Sequence, residues 1–320
     1  MALVNKVLVV GGGIGGMCAA IQLRKQGVEV ELVELSPGWT VYGAGITISG
    51  PTLRALRTVG VADEVLARGG NWSFIDICGG DGNVLNTVPV AHADGAEDLP
   101  PAGGIMRPVL ADILAKATRA AGVHVRLGLT FEAMTQDDGG VDVLFTDGST
   151  GRYDLVVGAD GLMSKVRTTM FPGAPEPVFS GQGSWRMVVP RTRRNSTIFM
   201  GRTTKAGLNP VSEDESYLFV LDQRDRFDFI PADQWPALLA DLMEEFGGAV
   251  GEVRQGLRDG SISAERLIYR PLMGLMLPGP WHRGRVVLLG DAVHATTPHL
   301  ASGAGLAVEG AVVLAEELAR

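Results

Sequence analysis

The chain has 320 residues, 46% of them hydrophobic and 20% charged, a balance that can fill a core and excludes general disorder. The net charge of -8, with no Lys/Arg cluster longer than Arg191 to Arg194, argues against nucleic acid as a partner. The 2 cysteines offer neither a disulfide framework nor a metal spacing, so a reducing cytoplasm is expected. No uncharged apolar run reaches the roughly 18 residues of a membrane span, so no membrane partner is expected.

The first 35 residues predict a βαβ unit. KVLVV (6–10) is β-branched and apolar, GGGIGG (11–16) is a glycine-rich turn, MCAAIQLRKQG (17–27) predicts a helix, and VEVELVEL (28–35) predicts a second strand. Lys6 before an apolar stretch superficially resembles a signal peptide, but the glycines inside that stretch argue against one.

The middle of the chain continues this α/β pattern and then changes. We predict helices at 51–58 and 107–122, strands at 72–78, 123–127, 141–145 and 153–161, and a loop at 88–104. From about 179 to 265, WRMVV (185–189), STIFMG (196–201) and YLFVLD (217–222) predict a separate sheet, followed by helices at 235–246 and 250–259. RVVLLGD (285–291) returns to the buried parallel-strand pattern before a final helix.

These elements predict an α/β fold in which a Rossmann-like nucleotide-binding domain is interrupted by a mostly antiparallel β-sheet domain that binds substrate. The first domain comprises 1–71, 98–178 and 266–320, and the second comprises 72–97 and 179–265. Because the final helix ends at Arg320 with Leu314 and Leu318 facing no further cover, we expect the natural protein to continue beyond it.

The glycine-rich turn contains the motif G-x-G-x-x-G as Gly11, Gly13 and Gly16. A dinucleotide site needs these glycines for a tight turn, for close approach of the backbone to a pyrophosphate, and for close packing of helix on strand. Glu34 ends the next strand, where a carboxylate can accept hydrogen bonds from both ribose hydroxyls. The unit therefore predicts dinucleotide binding, and this motif alone serves NAD as well as FAD.

Two later segments end buried strands with an aspartate: DLVVGADG (154–161) supplies Asp160 and RVVLLGD supplies Asp291. The carboxyl ends of strands are where open α/β sheets bind ligands. The alternative is that each aspartate only caps a helix.

Together these motifs resemble the three fingerprints of the single-component FAD-dependent aromatic hydroxylases, a family that includes 4-hydroxybenzoate, salicylate and 6-hydroxynicotinate hydroxylases. The resemblance rests on GGGIGG with Glu34, on DLVVGADG followed by Ser164 and Arg167, and on GDAVHATTP followed by SGAG, and it covers the whole chain. It implies that Glu34 binds the adenosine ribose, Asp291 the ribityl chain and Arg107 the diphosphate of FAD, and that the Asp160 segment serves both FAD and NAD(P)H. The other residues that it implies for FAD are Gly11, Gly13, Ile14, Gly15, Gly16, Leu35, Gly45, Ile46, Leu129, Pro298, Gly303, Ala304, Gly305 and Leu306.

The sequence departs from the family after Pro298. Many members read P-x-x-G-Q-G-A-N there, whereas this chain reads PHLASGAG, with Ser302 in place of the usual Gln and Gly310 in place of a later Asp. The turn glycines Gly303 and Gly305 are kept, so a helix that begins near Gly303 is expected to aim its N–H groups at the N1 and O2 edge of the flavin.

The resemblance further implies non-covalent FAD, NADH or NADPH as a transient co-substrate, O2, and hydroxylation of a small phenolic or N-heterocyclic ring through a C4a-hydroperoxide of the flavin. The Tyr42 to Gly45 loop holds no His or Cys for covalent attachment, and no second G-x-G-x-x-G supports a separate nicotinamide domain. The alternatives are a flavin epoxidase or another FAD oxidoreductase on the same fold, or a non-catalytic FAD-binding protein. A halogenase is disfavoured because W-x-W-x-I-P is missing.

For the substrate side we predict Tyr217 as the catalytic base, with Thr47, Arg186 and His299 lining the pocket. The alternative for Tyr217, as for Trp185 and Phe219, is a place in the core of the sheet. No metal site is predicted, because His294 and His299 have no further His, Cys or acidic residue at metal-ligand spacing. The sequence leaves open whether the protein is a monomer or a homodimer.

Overall fold

The computed structural model describes residues 4–227 and 229–320 and contains a six-stranded sheet whose strands come from positions between 6 and 288 of the chain. Its strand order is β18-β19-β12-β1-β2-β8. Five strands are parallel, and β18 pairs antiparallel at one edge. The strands are β1 (Lys6–Val10), β2 (Glu29–Glu34), β8 (His124–Leu127), β12 (Leu155–Gly158), β18 (His282–Arg283) and β19 (Val286–Leu288).

Helices cover this sheet because their apolar faces are buried against the strands and against one another. They are α1 (Ile14–Lys25), α2 (Gly50–Val59), α3 (Ala62–Arg68), α4 (Arg107–Ala120) and α9 (Gly303–Leu318), and two short helices, α5 (Lys165–Met170) and α8 (Asp291–His294), begin just beyond the ends of β12 and β19. α2 begins where the Ser49 side chain accepts a hydrogen bond from the Thr52 N–H, and it ends at Gly60, whose φ of 93° is left-handed. In the described part of the chain no helix has both the length and the apolar character needed to cross a membrane.

Two three-stranded antiparallel sheets flank this layer. One consists of β9 (Phe131–Asp137), β10 (Gly140–Phe145) and β11 (Thr150–Tyr153), and the other of β3 (Gly45–Ser49), β7 (Ala102–Met106) and β4 (Gly70–Trp72). The prediction of a loop through 88–104 is wrong at both ends, because residues 88–89 pair with residues 74–75 and residues 102–104 pair in β7. Glycine at 104 lets β7 lie close to the backbone of Pro210, because a Cβ there would be 2.4 Å from the Pro210 carbonyl oxygen.

A seven-stranded sheet in the order β17-β13-β16-β15-β14-β5-β6 forms the second part of the fold. Every pairing in it is antiparallel except that of β14 with β5. Its strands are β5 (Phe74–Gly79), β6 (Val84–Pro89), β13 (Val178–Pro190), β14 (Ser196–Met200), β15 (Lys205–Pro210), β16 (Glu215–Gln223) and β17 (Ile268–Gly274).

Helices α6 (Trp235–Leu242) and α7 (Gly248–Asp259) share a core with this sheet, in which Trp185, Phe199 and Phe246 are buried. The predicted fold class, an α/β nucleotide-binding layer interrupted by a mostly antiparallel sheet, is confirmed. β17 pairs with β13 although it follows the predicted boundary at 266. The division of the chain into the two predicted domains stays a prediction.

Candidate functional site

The glycine-rich turn lies between β1 and α1, and its three motif glycines have different steric surroundings. Gly11 has a left-handed φ of 106°, and a Cβ at Gly16 would lie 2.0 Å from the Gly11 carbonyl oxygen. A Cβ at Gly13 would meet nothing within 4 Å. Gly13 is also the N-cap of α1 and has no side chain to cap it. The first turn of α1 therefore faces open space with its N–H groups, a cradle that fits a pyrophosphate.

Glu34 lies beside this turn at the end of β2. Its carboxylate accepts hydrogen bonds from the backbone N–H groups of Gly12 and Ser36, each at 2.7 Å, and it keeps further lone pairs for ribose hydroxyls. Trp39, which the sequence analysis did not single out, donates its indole N–H to the Gly12 carbonyl at 2.8 Å and has a φ of 48°. The Arg119 guanidinium lies 5.1 Å from the centre of the Trp39 ring. Trp39 therefore closes one side of the predicted ribose site.

Arg107 begins α4, and its Nε is buried without a hydrogen-bond partner among the described residues. Burial and the nearby Arg186 lower the pKa of Arg107, whereas Asp291 and Tyr217 act in the opposite direction. A buried guanidinium without a carboxylate in contact with it is costly unless an anion approaches it. Arg107 therefore fits a negatively charged group of the cofactor or substrate.

Asp160 and Asp291 lie in different surroundings. The Asp160 carboxylate accepts hydrogen bonds from the Ser164 hydroxyl at 2.5 Å and from the Val166 N–H at 3.0 Å. It therefore binds the first turn of α5, although the N-cap of that helix is Ser164 and not Asp160. Asp291 is the first residue of α8, and its side chain is exposed and forms no hydrogen bond with a described residue. Desolvation by the surrounding protein raises the pKa of Asp291, and it outweighs the nearby Arg107 and His294, which act to lower that pKa. Asp291 is thus the aspartate whose carboxylate is available to a ligand.

Arg167 joins the two segments that carry these aspartates. It is 1% exposed and donates to the carbonyl oxygen of Ala292 at 2.9 Å and to that of Leu162 at 2.8 Å. The loop after β12 and helix α8 are therefore held at a fixed separation.

The four residues predicted for the substrate side, Thr47, Arg186, Tyr217 and His299, line one cavity of about 330 Å³. Pro298 lies on the same wall, in the turn that leads to α9. The remaining lining side chains include an apolar group contributed mainly by the seven-stranded sheet: Trp72, Ile75, Val90, Ile198, Phe219 and Leu221. A flat ring with polar substituents suits such a cavity.

A hydrogen-bonded cluster of four side chains forms one wall of this cavity. The hydroxyl oxygens of Thr47 and Tyr217 lie 2.9 Å apart, and Asn209 Nδ2 lies 3.0 Å from each of them. The Ser196 hydroxyl donates to Asn209 Oδ1 at 2.6 Å. Asn209 and Ser196 were not predicted, and they bring the cluster together from β15 and β14.

The charged groups of the cavity are all cationic. Arg186 and Lys205 line it, and neither forms an ion pair with a described residue. No aspartate or glutamate lines the cavity in the described part of the chain. His299 is exposed at its edge, with Nδ1 2.9 Å from the Thr297 hydroxyl. The cavity therefore presents an electrostatic environment that favours an anion.

The remaining predicted cofactor residues differ in how far they are exposed. Gly45, Ile46 and Leu129 are buried, Ile14, Gly15, Gly303 and Ala304 are half-buried, and Leu35 and Leu306 are exposed. Gly305 packs on α2, since a Cβ there would lie 2.2 Å from the Thr52 hydroxyl. Their roles in binding FAD stay predictions. No group of metal-ligating side chains occurs within 4–227 and 229–320.

The chain matches a protein family and is similar to known proteins along most of its length. The family described as "FAD binding domain" matches residues 5–255 and 270–320. The putative FAD-dependent monooxygenase YetM of Bacillus subtilis is 33% identical over 322 residues, which cover 98% of this chain and 84% of that protein. The 6-hydroxynicotinate 3-monooxygenase of Pseudomonas fluorescens is 29% identical over 337 residues, covering 97% of this chain and 81% of that protein.

Among solved structures, HpxO of Klebsiella pneumoniae complexed with FAD and uric acid matches with a TM-score of 0.84. The match covers 98% of this chain and 80% of that chain. At 24% sequence identity it establishes a shared fold.

Proposed function

This chain belongs to the FAD binding domain family and is an FAD-dependent monooxygenase, and from that premise we propose that it uses NADH or NADPH and O2 to hydroxylate a small phenolic or N-heterocyclic ring. The observation that carries the proposal is the cavity that brings Thr47, Arg186, Tyr217 and His299 to one space beside the turn before α9. Related proteins named for small heterocyclic substrates, hydroxynicotinate and urate, support a ring of this size.

Bound FAD would supply the redox chemistry, accepting a hydride from the nicotinamide and activating O2 for transfer of one oxygen atom to the ring. The residues of this chain that would hold it are the Gly11 to Gly16 turn for the diphosphate, Glu34 for the ribose, and Asp291 for the ribityl chain. The N-terminus of α9 would stabilise negative charge on the flavin through its N–H groups. The protein's remaining tasks are to orient the ring and to exclude water.

We propose further that the ring carries an anionic group. Arg186 and Lys205 line the cavity without an ion-pair partner, and no described carboxylate lines it to neutralise them. A carboxylate or phenolate oxygen would pair with these cations, and an electron-rich phenolate is the more reactive ring toward electrophilic oxygen. Tyr217, in contact with Thr47, is the proposed group that exchanges a proton with the ring oxygen.

The test is a panel of hydroxylated aromatic and N-heterocyclic acids, each paired with its neutral amide, screened with the purified holoenzyme for stimulated NADH and NADPH oxidation. Products are identified by mass spectrometry. We expect at least one acid to stimulate oxidation and to yield a product heavier by one oxygen atom, and its amide to be a poorer substrate.

Three results would contradict parts of this proposal. Failure of the whole panel to stimulate NAD(P)H oxidation would refute hydroxylation of such rings. An epoxide product would refute hydroxylation and favour the alternative that the protein is a flavin epoxidase. Equal turnover of acids and amides would refute the anionic substrate alone.

A further inference from the structure

We propose that Asn209 is a positioning residue that sets the direction of the hydrogen bonds at Thr47 and Tyr217, so that this hydroxyl pair offers a proton to the cavity and selects a ring oxygen that is an acceptor. Such an oxygen is an oxyanion or the keto form of a hydroxylated heterocycle. The inference rests on the proposed function, because the ring concerned is its substrate.

The distances indicate which way the Asn209 amide faces. The contact from Asn209 Oδ1 to the Ser196 hydroxyl is 2.6 Å, which suits O–H···O and is short for N–H···O. The contacts of Asn209 Nδ2 with Tyr217 and Thr47 are both 3.0 Å, the usual N–H···O length. Ser196 therefore holds the amide with its oxygen toward β14 and its NH2 group toward the two hydroxyls.

This orientation leaves one hydroxyl proton for the cavity. Thr47 and Tyr217 have two hydroxyl protons between them, and the bond that joins them uses one. Each oxygen already accepts a proton from Asn209, so neither hydroxyl proton is needed to satisfy the amide. The second hydroxyl proton can point to a ligand, whereas three of the four lone pairs on the two oxygens are already occupied, two by Asn209 and one by the bond that joins the hydroxyls. The wall is thereby biased toward donation.

The rest of the cavity matches this bias. Its two charged side chains, Arg186 and Lys205, are also donors only. Asn209 is 6% exposed and Ser196 is 5% exposed, so the solvent does not compete strongly for the amide. A ring oxygen that had kept its own proton would find fewer acceptors here than a deprotonated oxygen would find donors.

The test is Asn209→Asp, which keeps the shape of the side chain and replaces the NH2 group with an acceptor. An ionised carboxylate would draw both hydroxyl protons toward itself and leave none for the ligand. Binding is measured by calorimetry on the FAD-loaded protein with two ligands, a ring that carries an oxyanion and the same ring with hydrogen in its place. The wild type should prefer the oxyanion ligand, and Asn209→Asp should reduce that preference by about ten- to hundredfold, the scale of a lost charge-assisted hydrogen bond.

The pH dependence separates positioning from general damage. When the pH is lowered far enough to protonate the introduced carboxyl, that group becomes a donor again and the difference from the wild type should shrink. Damage to the fold would not reverse in this way. The same substitution in a Thr47→Val, Tyr217→Phe background should have little further effect on the preference, because the hydroxyls through which Asn209 acts are gone.

Asn209→Leu is the second variant, since it is similar in size and adds no charge. It removes both donated bonds and frees two acceptor sites, so the preference for the oxyanion should fall by less than in Asn209→Asp while the oxygen-free ligand binds as before. FAD retention and Tm serve as folding controls for both variants.

Either variant with an unchanged preference at every pH, or with an equal loss for both ligands, would overturn the inference. A wild type that binds both ligands but hydroxylates no ring would overturn the proposed function instead, and the binding comparison would still report on Asn209.

Discussion

Replacing Gly13 with alanine is expected to weaken FAD binding and to leave the fold intact. Gly13 has φ of -73° and ψ of -179°, a conformation that alanine adopts without strain, and its Cβ would meet nothing within 4 Å. That open space is the cradle at the first turn of α1 where the diphosphate is expected. Gly16→Ala is the contrasting change, because its Cβ would lie 2.0 Å from the Gly11 carbonyl oxygen, which is backbone and cannot move alone.

The expected magnitudes differ accordingly. At the N-cap, alanine is less favourable than glycine by a few tenths of a kcal/mol to about 1 kcal/mol, and the reduced freedom of the unfolded chain offsets this by about 0.4–1 kcal/mol. The free energy of unfolding of the apoprotein should therefore stay within about 1 kcal/mol of the wild type. A methyl group that overlaps the diphosphate should cost about 1–3 kcal/mol of binding, as overpacking does, which is roughly ten- to hundredfold in Kd.

The assay combines calorimetric titration of the apoprotein with FAD and urea unfolding of the same apoprotein. Gly274→Ala is the matched control, because its Cβ would have only the Ala295 carbonyl oxygen near it, at 3.9 Å. A wild-type Kd for FAD in Gly13→Ala would refute the placement of the diphosphate. A loss of unfolding free energy in Gly13→Ala as large as that in Gly16→Ala would also refute this placement.

Three further predictions concern the carboxylates of Glu34, Asp291 and Glu245 and the hydroxyl of Tyr217. Glu34→Ala should weaken FAD binding by about 1–3 kcal/mol, the scale of lost charged hydrogen bonds, and an unchanged FAD titration would contradict it. Asp291→Ala should lose FAD and hydroxylation together. Tyr217→Phe should keep FAD, and its turnover should fall by about 10²- to 10⁴-fold if the tyrosine is a general base. Equal loss of FAD in the two variants would show that Asp291 and Tyr217 belong to the same site. Burial raises the pKa of Glu245, but hydrogen bonds from Thr204 and from neighbouring backbone N–H groups outweigh it and lower that pKa from 4.5 to about 2. The carboxylate thus stabilises the fold fully above pH 4.5 and loses this effect as the pH falls to about 2, so Glu245→Gln should lower Tm more at neutral pH than near pH 2, and equal shifts would refute it.

The elements that the sequence predicts well are those whose signals are local. The glycine-rich turn, its flanking strand and helix, and Glu34 stand within one βαβ unit. Gly11 and Gly16 have close backbone neighbours, and Gly13 faces open space, as their places in the motif require. Strands β13, β14 and β16 were also predictable, because they are largely apolar and lie close together in the sequence. The end of the loop at 88–104 was not, since the pairing of 102–104 depends on β3, more than fifty positions earlier.

The parts that were missed depend on contacts between distant segments or on unusual backbone. Trp39 reaches the Gly12 carbonyl only because its φ is 48°, a value that no residue pattern predicts for tryptophan. Asn209 contacts Thr47, which lies 162 positions away, so its role could not be read from its own neighbours in the sequence. For Asp160 the sequence supported two interpretations, and only the coordinates reveal that both carboxylate oxygens accept bonds within its own loop.

The position of Tyr217 ties the substrate cavity to the nucleotide-binding layer. A Cβ at Gly45 would lie 2.2 Å from Tyr217 Cδ1, so the tyrosine ring packs directly on the backbone at the start of β3. Two residues later the same strand supplies Thr47, whose hydroxyl meets that of Tyr217. Ala44, Met106, Val188 and Val211 complete the small core that holds the ring. Arg107 follows Met106 directly, and Tyr217 is among the groups that act to raise its pKa, so the tyrosine lies close to the guanidinium predicted to face the flavin diphosphate.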